Sequence, residues 1–467
     1  MSIVKPFAAL RPDRALAARL CELPYDVLSS AEARRAAACN PLSFFHVSKP
    51  EIDFAPEIEP HDERVYARGR ENFLKLIAQG ALKRDLQAAF YLYRQVMGAH
   101  TQLGLVALGS CEEYLHDTIR KHELTRPDKE DDRVRHIESL NAQTGPAFLI
   151  YPAEPTLDEF LRRQTEGPTE VDYVAADGVR HSAWAIQDRA SQDEIESRFS
   201  GMPLLYIADG HHRTAAAARI YQKRQGAGRS GYFLSVIFPH DQVQILPYHR
   251  VLKDLPGLTP SDLLLRLDGI FLIEKSGVSQ PRHPHELSLF LAGVWYTLRF
   301  RPHLVATNDP LDQLDVTLLQ KLVLGPVFGV DDPRRSERID FVGGIRGAGE
   351  LERLVASGQY ACAFSMFPTR IEDLMAIAKA GQLMPPKSTW FEPKLRDGMF
   401  SITADKFQIV RIESELVSPV PKIRLAGEHQ VVEYGPAARR RLSDKHWFQA
   451  SLIDHLCEEF DRRQRLV

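Results

Sequence analysis

An α+β fold of mixed α/β layers is the architecture this sequence predicts, and three observations lead to it. Apolar runs of strand length, such as Ala147–Tyr151, alternate with capped or amphipathic helix signals along the first 400 residues. The 467-residue chain is long enough for two or three buried cores. Its 44% hydrophobic and 26% charged content is that of an ordinary globular protein, with no internal repeat or low-complexity tract.

Residues 1–60 read as short helical pieces and loops, with a capped helix start at 29–35. Helical periodicity covers 63–79, and strand patterns cover 88–96 and 102–110. Helices are expected over 112–122 and 128–143, a strand over 147–151, and a helix opening on a capping box at Thr156 and Glu159. Strands at 171–175 and 183–187 precede a helix over 191–200, with Ser191 and Glu194 at capping-box spacing. After the turn at 209–213, strands are expected at 232–238 and 243–248.

Composition shifts near 253–257, which suggests units at 1–255 and 256–403. The second unit repeats the pattern. Helices are expected at 260–267, 315–324 and 369–380, with strands at 294–300, 339–342 and 360–366. The extension 404–467 holds a short β-like stretch. It ends in an amphipathic helix that places Trp447, Phe448, Leu452, Ile453, Leu456 and Phe460 on one face.

Bulk chemistry excludes several classes of function. A net charge of −3, with Arg439–Arg441 as the densest basic run, gives no electrostatic reason to bind nucleic acid. Five scattered cysteines without a CxxC pair argue against a disulfide framework or a cysteine zinc site, and fit a reducing cytoplasm. The first residues lack a signal-peptide core, and no apolar run approaches the ~20 residues that cross a bilayer. The chain is therefore expected to be cytoplasmic, with no membrane partner. Neither a GxSxG elbow nor an HExxH motif occurs.

The most informative segment runs from Leu204 to Ala218: a buried strand, one glycine turn, then an alanine-rich helix. Asp209, His211, His212 and Arg213 sit where strand becomes helix. A helix N-terminus attracts anions, and Gly210 lets backbone approach a ligand closely. Arg213 and the two histidines are donors suited to phosphate oxygens, with Thr214 one residue on. Asp209 can orient a hydroxyl or a metal-bound water. The competing reading is a plain capped turn with Asp209 as N-cap. Adjacent His211 and His212 point in different directions, so a zinc site using both needs distant ligands.

A second cluster spans 121–133. Its His122 and Glu123 are candidate general bases, and Arg126, Lys129 and Arg133 are candidate phosphate ligands. Lys129, Arg133 and His136 are spaced to share a helix face. A solvated, salt-bridged helix is the alternative. A third cluster, 384–394, has a proline-stiffened loop whose Lys387, Ser388, Thr389 and Lys394 can close over an anion, although the GxxxxGK[ST] pattern is absent. Tyr25, Asp26 and His46 form a fourth set of pocket candidates.

Taken in order, these clusters resemble a widespread bacterial and archaeal group, domain-of-unknown-function family 1015. The matching stretches are 5–12, 24–27, 40–47, 121–133, 208–214 and 384–394, spanning about residues 3–400. The extension after 404 departs from the family pattern. The Asp209–Arg213 segment is also similar to a loop of the ParB and sulfiredoxin-like superfamily, whose members bind nucleotide phosphates there and include kinases of free serine. That resemblance implies a ParB-like N-terminal region, a second α/β domain and a C-terminal helical tail.

The family's link to serine biosynthesis implies serine or phosphoserine as the small-molecule substrate. The function so implied is a nucleotide-dependent kinase of free serine or a similar hydroxy compound, using ATP or ADP and Mg²⁺. A phosphoserine phosphatase and a non-catalytic nucleotide-binding switch are the alternatives. In this scheme Asp209, Glu123, His122 and His212 are catalytic. Gly210, His211, Arg213, Thr214, Arg126, Lys129, Arg133, Lys387, Ser388 and Thr389 hold the nucleotide. No metal ligands are assigned.

Overall fold

A computed structural model describes residues 2–403, with three short strands beyond them, Arg411–Glu413, Lys422–Arg424 and Val431–Glu433. These three pair antiparallel, a short β sheet where a β-like stretch was expected. The amphipathic face from Trp447 to Phe460 lies outside the described residues.

The fold is α+β, with two large sheets. The first is mixed and contains β1 (Val4–Lys5), β2 (Phe90–Met97), β3 (His100–Ser110), β4 (Ile119–Arg120), β5 (Ala147–Tyr151), β6 (Val171–Val174), β7 (Arg180–Ile186), β8 (Leu205–Asp209) and β9 (Tyr232–Pro239). Their order is β4-β8-β5-β9-β3-β2-β7-β6, with β1 beside β3. Side chains alternate across a strand, and here both faces are covered. Phe148 and Ile150 enter one core, while Leu149 and Tyr151 enter the other.

The second sheet is antiparallel. It comprises β10 (Tyr248–Leu252), β11 (Phe271–Lys275), β12 (Glu286–Leu291), β13 (Val294–Phe300), β14 (Ile339–Gly343) and β15 (Cys362–Ser365). Its strand order is β11-β13-β12-β15-β10-β14, so it takes β10 from ahead of residue 255. The core on one face of the first sheet continues through Leu252, Leu287, Leu298 and Phe364 of the second. The chain then returns: Trp390–Glu392 pairs with Gln244–Leu246, Asp397 bridges Glu22, and Ile402–Thr403 pairs with Ala142–Gln143. That return brings residues 384–397 beside the first sheet.

Three helices frame the site: α1 (Glu63–Ala78), α2 (Pro127–Leu140) and α3 (His211–Arg224). Asp62 caps α1, and left-handed Asn141 ends α2 three residues short of 143. The expected helix over 112–122 differs. It stops at Leu115, because Asp117 turns left-handed and Ile119 joins the sheet edge as β4. Two expected capping boxes are also replaced. Glu154 accepts from the Thr156 and Leu157 N–H groups, and Asp188 from Ser191, so carboxylates just upstream take the cap positions. Within 315–324 the α-helix ends at Leu319 and widens into a π turn.

Candidate functional site

The site is built on the turn between β8 and α3. Leu205 to Ala208 are buried, which anchors the strand, and Ala215 to Ala218 are buried, which lets α3 pack close to the sheet. Gly210 joins them at φ +90°, where a Cβ would lie 3.2 Å from the Ala147 Cα. A side chain there is therefore both strained and crowded. No side chain caps α3. Asp209 does not take the N-cap role. Its Oδ1 accepts the Gly210 N–H at 2.8 Å, and its Oδ2 accepts from the Lys394 ammonium at 2.9 Å. Burial alone lifts the Asp209 carboxyl; Lys394 and Arg213 outweigh it and hold the group below the usual carboxylate range.

Arg213 is fixed by donation from Nη1 to the Pro146 carbonyl at 2.6 Å. Its Nη2 is buried, makes no hydrogen bond and lies 3.5 Å from Asp26. Arg133 and Arg213 both sit over the Tyr25 ring, at 3.7 and 5.7 Å. Asp397 faces this pair of cations. A Cβ on Gly145 would be 2.6 Å from its Oδ1, so the glycine permits the carboxylate's approach. Burial, reinforced by Asp26, pushes the Asp397 carboxyl up to about 7 against the pull of both arginines.

The 121–133 stretch folds directly against this turn. The His122 and His211 rings meet edge to face with centroids 4.5 Å apart, and the His122 N–H points at His211 Nε2 from 3.5 Å. The Arg126 N–H donates to His212 Nε2 at 3.1 Å. Lower down, Arg219 of α3 pairs with Asp131 at 2.7 Å, and Lys223 with Glu138 at 2.6 Å, fastening α2 to α3. The Met384 N–H donates to the His122 carbonyl at 2.8 Å, which tethers the proline loop to the same stretch. Burial pushes His122 down to about 4 and lowers His211 and His212, which favours the neutral form of all three rings. It raises Glu123, with Lys387 opposing and Asp209 and Asp26 assisting.

A cavity of about 1080 Å³ opens between the start of α1, the 123–136 stretch and the edge strand β14 of the second sheet. Glu123, Arg126, Lys129, Arg133, His212 and Lys387 line it, opposite Ile339 and Phe341 of β14. Arg133 is partly committed to Asp132 at 2.6 Å, and Asp132 also accepts from Tyr66 at 2.7 Å. Lys129, Arg133 and His136 do share the cavity-facing side of α2. Six expected nucleotide ligands do not line the cavity, namely Gly210, His211, Arg213, Thr214, Ser388 and Thr389, and neither do the catalytic candidates Asp209 and His122. The Thr214 hydroxyl donates to the His211 carbonyl at 2.9 Å, and that of Ser388 to the Pro385 carbonyl at 2.6 Å; Thr389 follows Ser388 away from the opening. Short hydroxyls beside their own carbonyls satisfy themselves locally. His46 is likewise occupied, by Asp53 at 2.5 Å and the Asn40 carbonyl at 3.2 Å.

Sequence reasoning left out Asp397 and gave Lys394 no role at the turn. The available signal is a charged run, Lys394 to Asp397, set between Trp390-Phe391 and Met399-Phe400. Charges inside such an apolar stretch are buried only with partners.

Residues 4–317 match the family described as protein of unknown function (DUF1015), and the chain belongs to that family. No curated protein matches the sequence. Among solved structures, a free serine kinase in complex with AMP aligns at 14% identity with a TM-score of 0.34, covering 62% of this chain and 89% of that one. A conserved hypothetical protein from Pyrococcus furiosus aligns at 14% identity and 0.33, covering 62% and 92%. SbnI with a C-terminal truncation, from Staphylococcus aureus, aligns at 11% identity and 0.35, covering 62% and 85%.

Proposed function

We propose that this chain is a small-molecule phosphotransferase, a nucleotide-dependent kinase of free serine or a similar hydroxy compound. The observation that carries the reading is the uncapped N-terminus of α3 at Gly210, with the buried, unbonded Nη2 of Arg213 beside it. Backbone N–H groups, a helix dipole and a guanidinium with unused donor capacity are what a phosphate oxygen needs. The adjoining cavity is of nucleotide size. The similarity of this turn to ParB and sulfiredoxin-like nucleotide loops agrees with it, and the choice of serine rests on the family resemblance.

ATP or ADP, with Mg²⁺, supplies the phosphoryl group in this reading. The chain's own residues do the rest. Gly210, His211, His212 and Arg213 hold the phosphate. Arg126, Lys129 and Arg133 balance charge along the cavity, and Lys387 covers it. Asp209, steadied by Lys394, orients the acceptor hydroxyl. Glu123, whose carboxyl burial raises, takes the hydroxyl proton as oxygen attacks. Phosphoryl transfer needs mainly positioning and charge stabilisation, which this inventory provides.

The partners of this reading are small molecules; a net charge of −3 gives nucleic acid no foothold. Among the described residues, no helix is long and apolar enough to cross a membrane. The four described cysteines are free, which suits the cytoplasmic setting we infer.

The test is consumption of ATP or ADP by purified protein with and without serine. Serine-dependent turnover supports the kinase. Phosphate release from phosphoserine alone replaces it with a phosphatase, and binding without turnover replaces it with a switch.

A further inference from the structure

His122, Glu123 and His211 each bring one ligand atom to a common point, with all three atoms within 4.8 Å of one another. Two of the three residues are buried, and His122 is only 2% exposed. Among the described residues, neither buried ring nitrogen of His122 has a hydrogen-bond partner at ordinary distance and angle. A neutral imidazole presents one N–H and one lone pair, and buried polar groups are nearly always satisfied. The neighbouring ring cannot supply the need, because it stands perpendicular and points its Nε2 at the His122 backbone N–H from a long 3.5 Å.

We propose that His122, Glu123 and His211 form a binding site for a divalent transition-metal cation of borderline softness, such as Zn²⁺, Co²⁺ or Fe²⁺. Two imidazoles and one carboxylate are the donor set such ions select; Mg²⁺ and Ca²⁺ prefer oxygen alone. Bonds of about 2.1 Å place ligand atoms roughly 3–3.5 Å apart, so the three side chains close by about 1 Å around the ion. The chain path favours this. Because the helix after Cys111 stops at Leu115, His122 and Glu123 lie in an irregular segment where neighbours can converge. Met384 pins that segment by its hydrogen bond to the His122 carbonyl, and β8 with Gly210 fixes His211.

Three protein ligands leave coordination positions open, as in catalytic rather than structural sites. Glu123 lines the large cavity, so the open side faces it. The inference concerns binding alone and does not depend on phosphoryl transfer.

The test is a titration of chelator-treated, full-length protein with Co²⁺, followed by visible d–d absorption. Saturable uptake of one ion per chain, displaced by Zn²⁺ but not by Mg²⁺, is the expected result. His122→Asn and His211→Asn should each weaken uptake by at least about 100-fold, since even outer partners of a ligand cost 10–100-fold. Pulsed EPR on the unsubstituted, Cu²⁺-loaded chain needs no variant to fold and should report two bound imidazoles. Absent d–d bands, unchanged bands in both variants, or a spectrum without two imidazoles would overturn the site. Serine-dependent turnover with Mg²⁺ but no Co²⁺ uptake removes this inference and leaves the kinase reading; Co²⁺ uptake without turnover does the reverse.

Discussion

Two helices of this molecule begin in opposite ways. The helix Pro260–Asp268 opens on a complete capping box, in which Thr259 accepts from the Asp262 N–H and the Asp262 carboxylate takes the Thr259 N–H. Its N-terminal donors are satisfied by its own sequence, and it faces solvent. Helix α3 opens on a left-handed glycine with no side-chain cap, and the nearest carboxylate, Asp209, is bound to Lys394 instead. The first arrangement stabilises a helix. The second gives up that stability, roughly 1 kcal/mol, and leaves the helix start without a side-chain cap, with His212 at the cavity wall.

The comparison can be broken most strongly at the charges around α3. Arg213→Ala and Asp209→Asn should each reduce serine-dependent nucleotide consumption by about 10³-fold, the scale of losing a preorganised donor. Turnover within tenfold of the parent in both variants would end the site assignment. Glu123→Gln should lower kcat by about 10²-fold or more with KM little changed. In the parent freed of transition metal and assayed with Mg²⁺, the rate should rise with pH through the elevated Glu123 carboxyl, and the Gln variant should lose that acidic limb in a pH–rate profile.

Asp397 gives a stability test. Its carboxyl is raised to about 7, so the folded chain binds that proton more tightly than the unfolded one. Stability is therefore greatest below about pH 4 for this group and falls as pH climbs to about 7, by at most roughly 4 kcal/mol. Thermal melts across that range should show the slope, and Asp397→Asn should flatten it. The two helix starts then separate cleanly. Gly210→Ala should cost about 1–3 kcal/mol from left-handed strain and also abolish turnover. Thr259→Ala should cost about 1 kcal/mol and leave turnover unchanged. Equal effects of the two on activity would erase the distinction.

Much of this fold was legible because local chemistry agreed with tertiary need. The Ala147–Tyr151 strand carries its signal in five consecutive apolar residues, and the α1 start in a single aspartate. The turn between β8 and α3 was legible because a buried strand, one glycine and an alanine-rich run follow one another. Other features were not. The early stop of the helix after Cys111 depends on Ile119 pairing beside Leu205, a contact between distant segments. Thr214 and Ser388 have the right chemistry for ligands but find nearer acceptors. Asp397 joins the site only because the chain returns from the second sheet to pair with Glu22, and no local pattern encodes that return.

A crystal structure of the full chain soaked with ADP tests the central claim most directly. The terminal phosphate should lie within about 3 Å of the first N–H groups of α3 and of Arg213 Nη2. Density for the phosphates elsewhere in the cavity, with Arg213 still bound only to the Pro146 carbonyl, would contradict it.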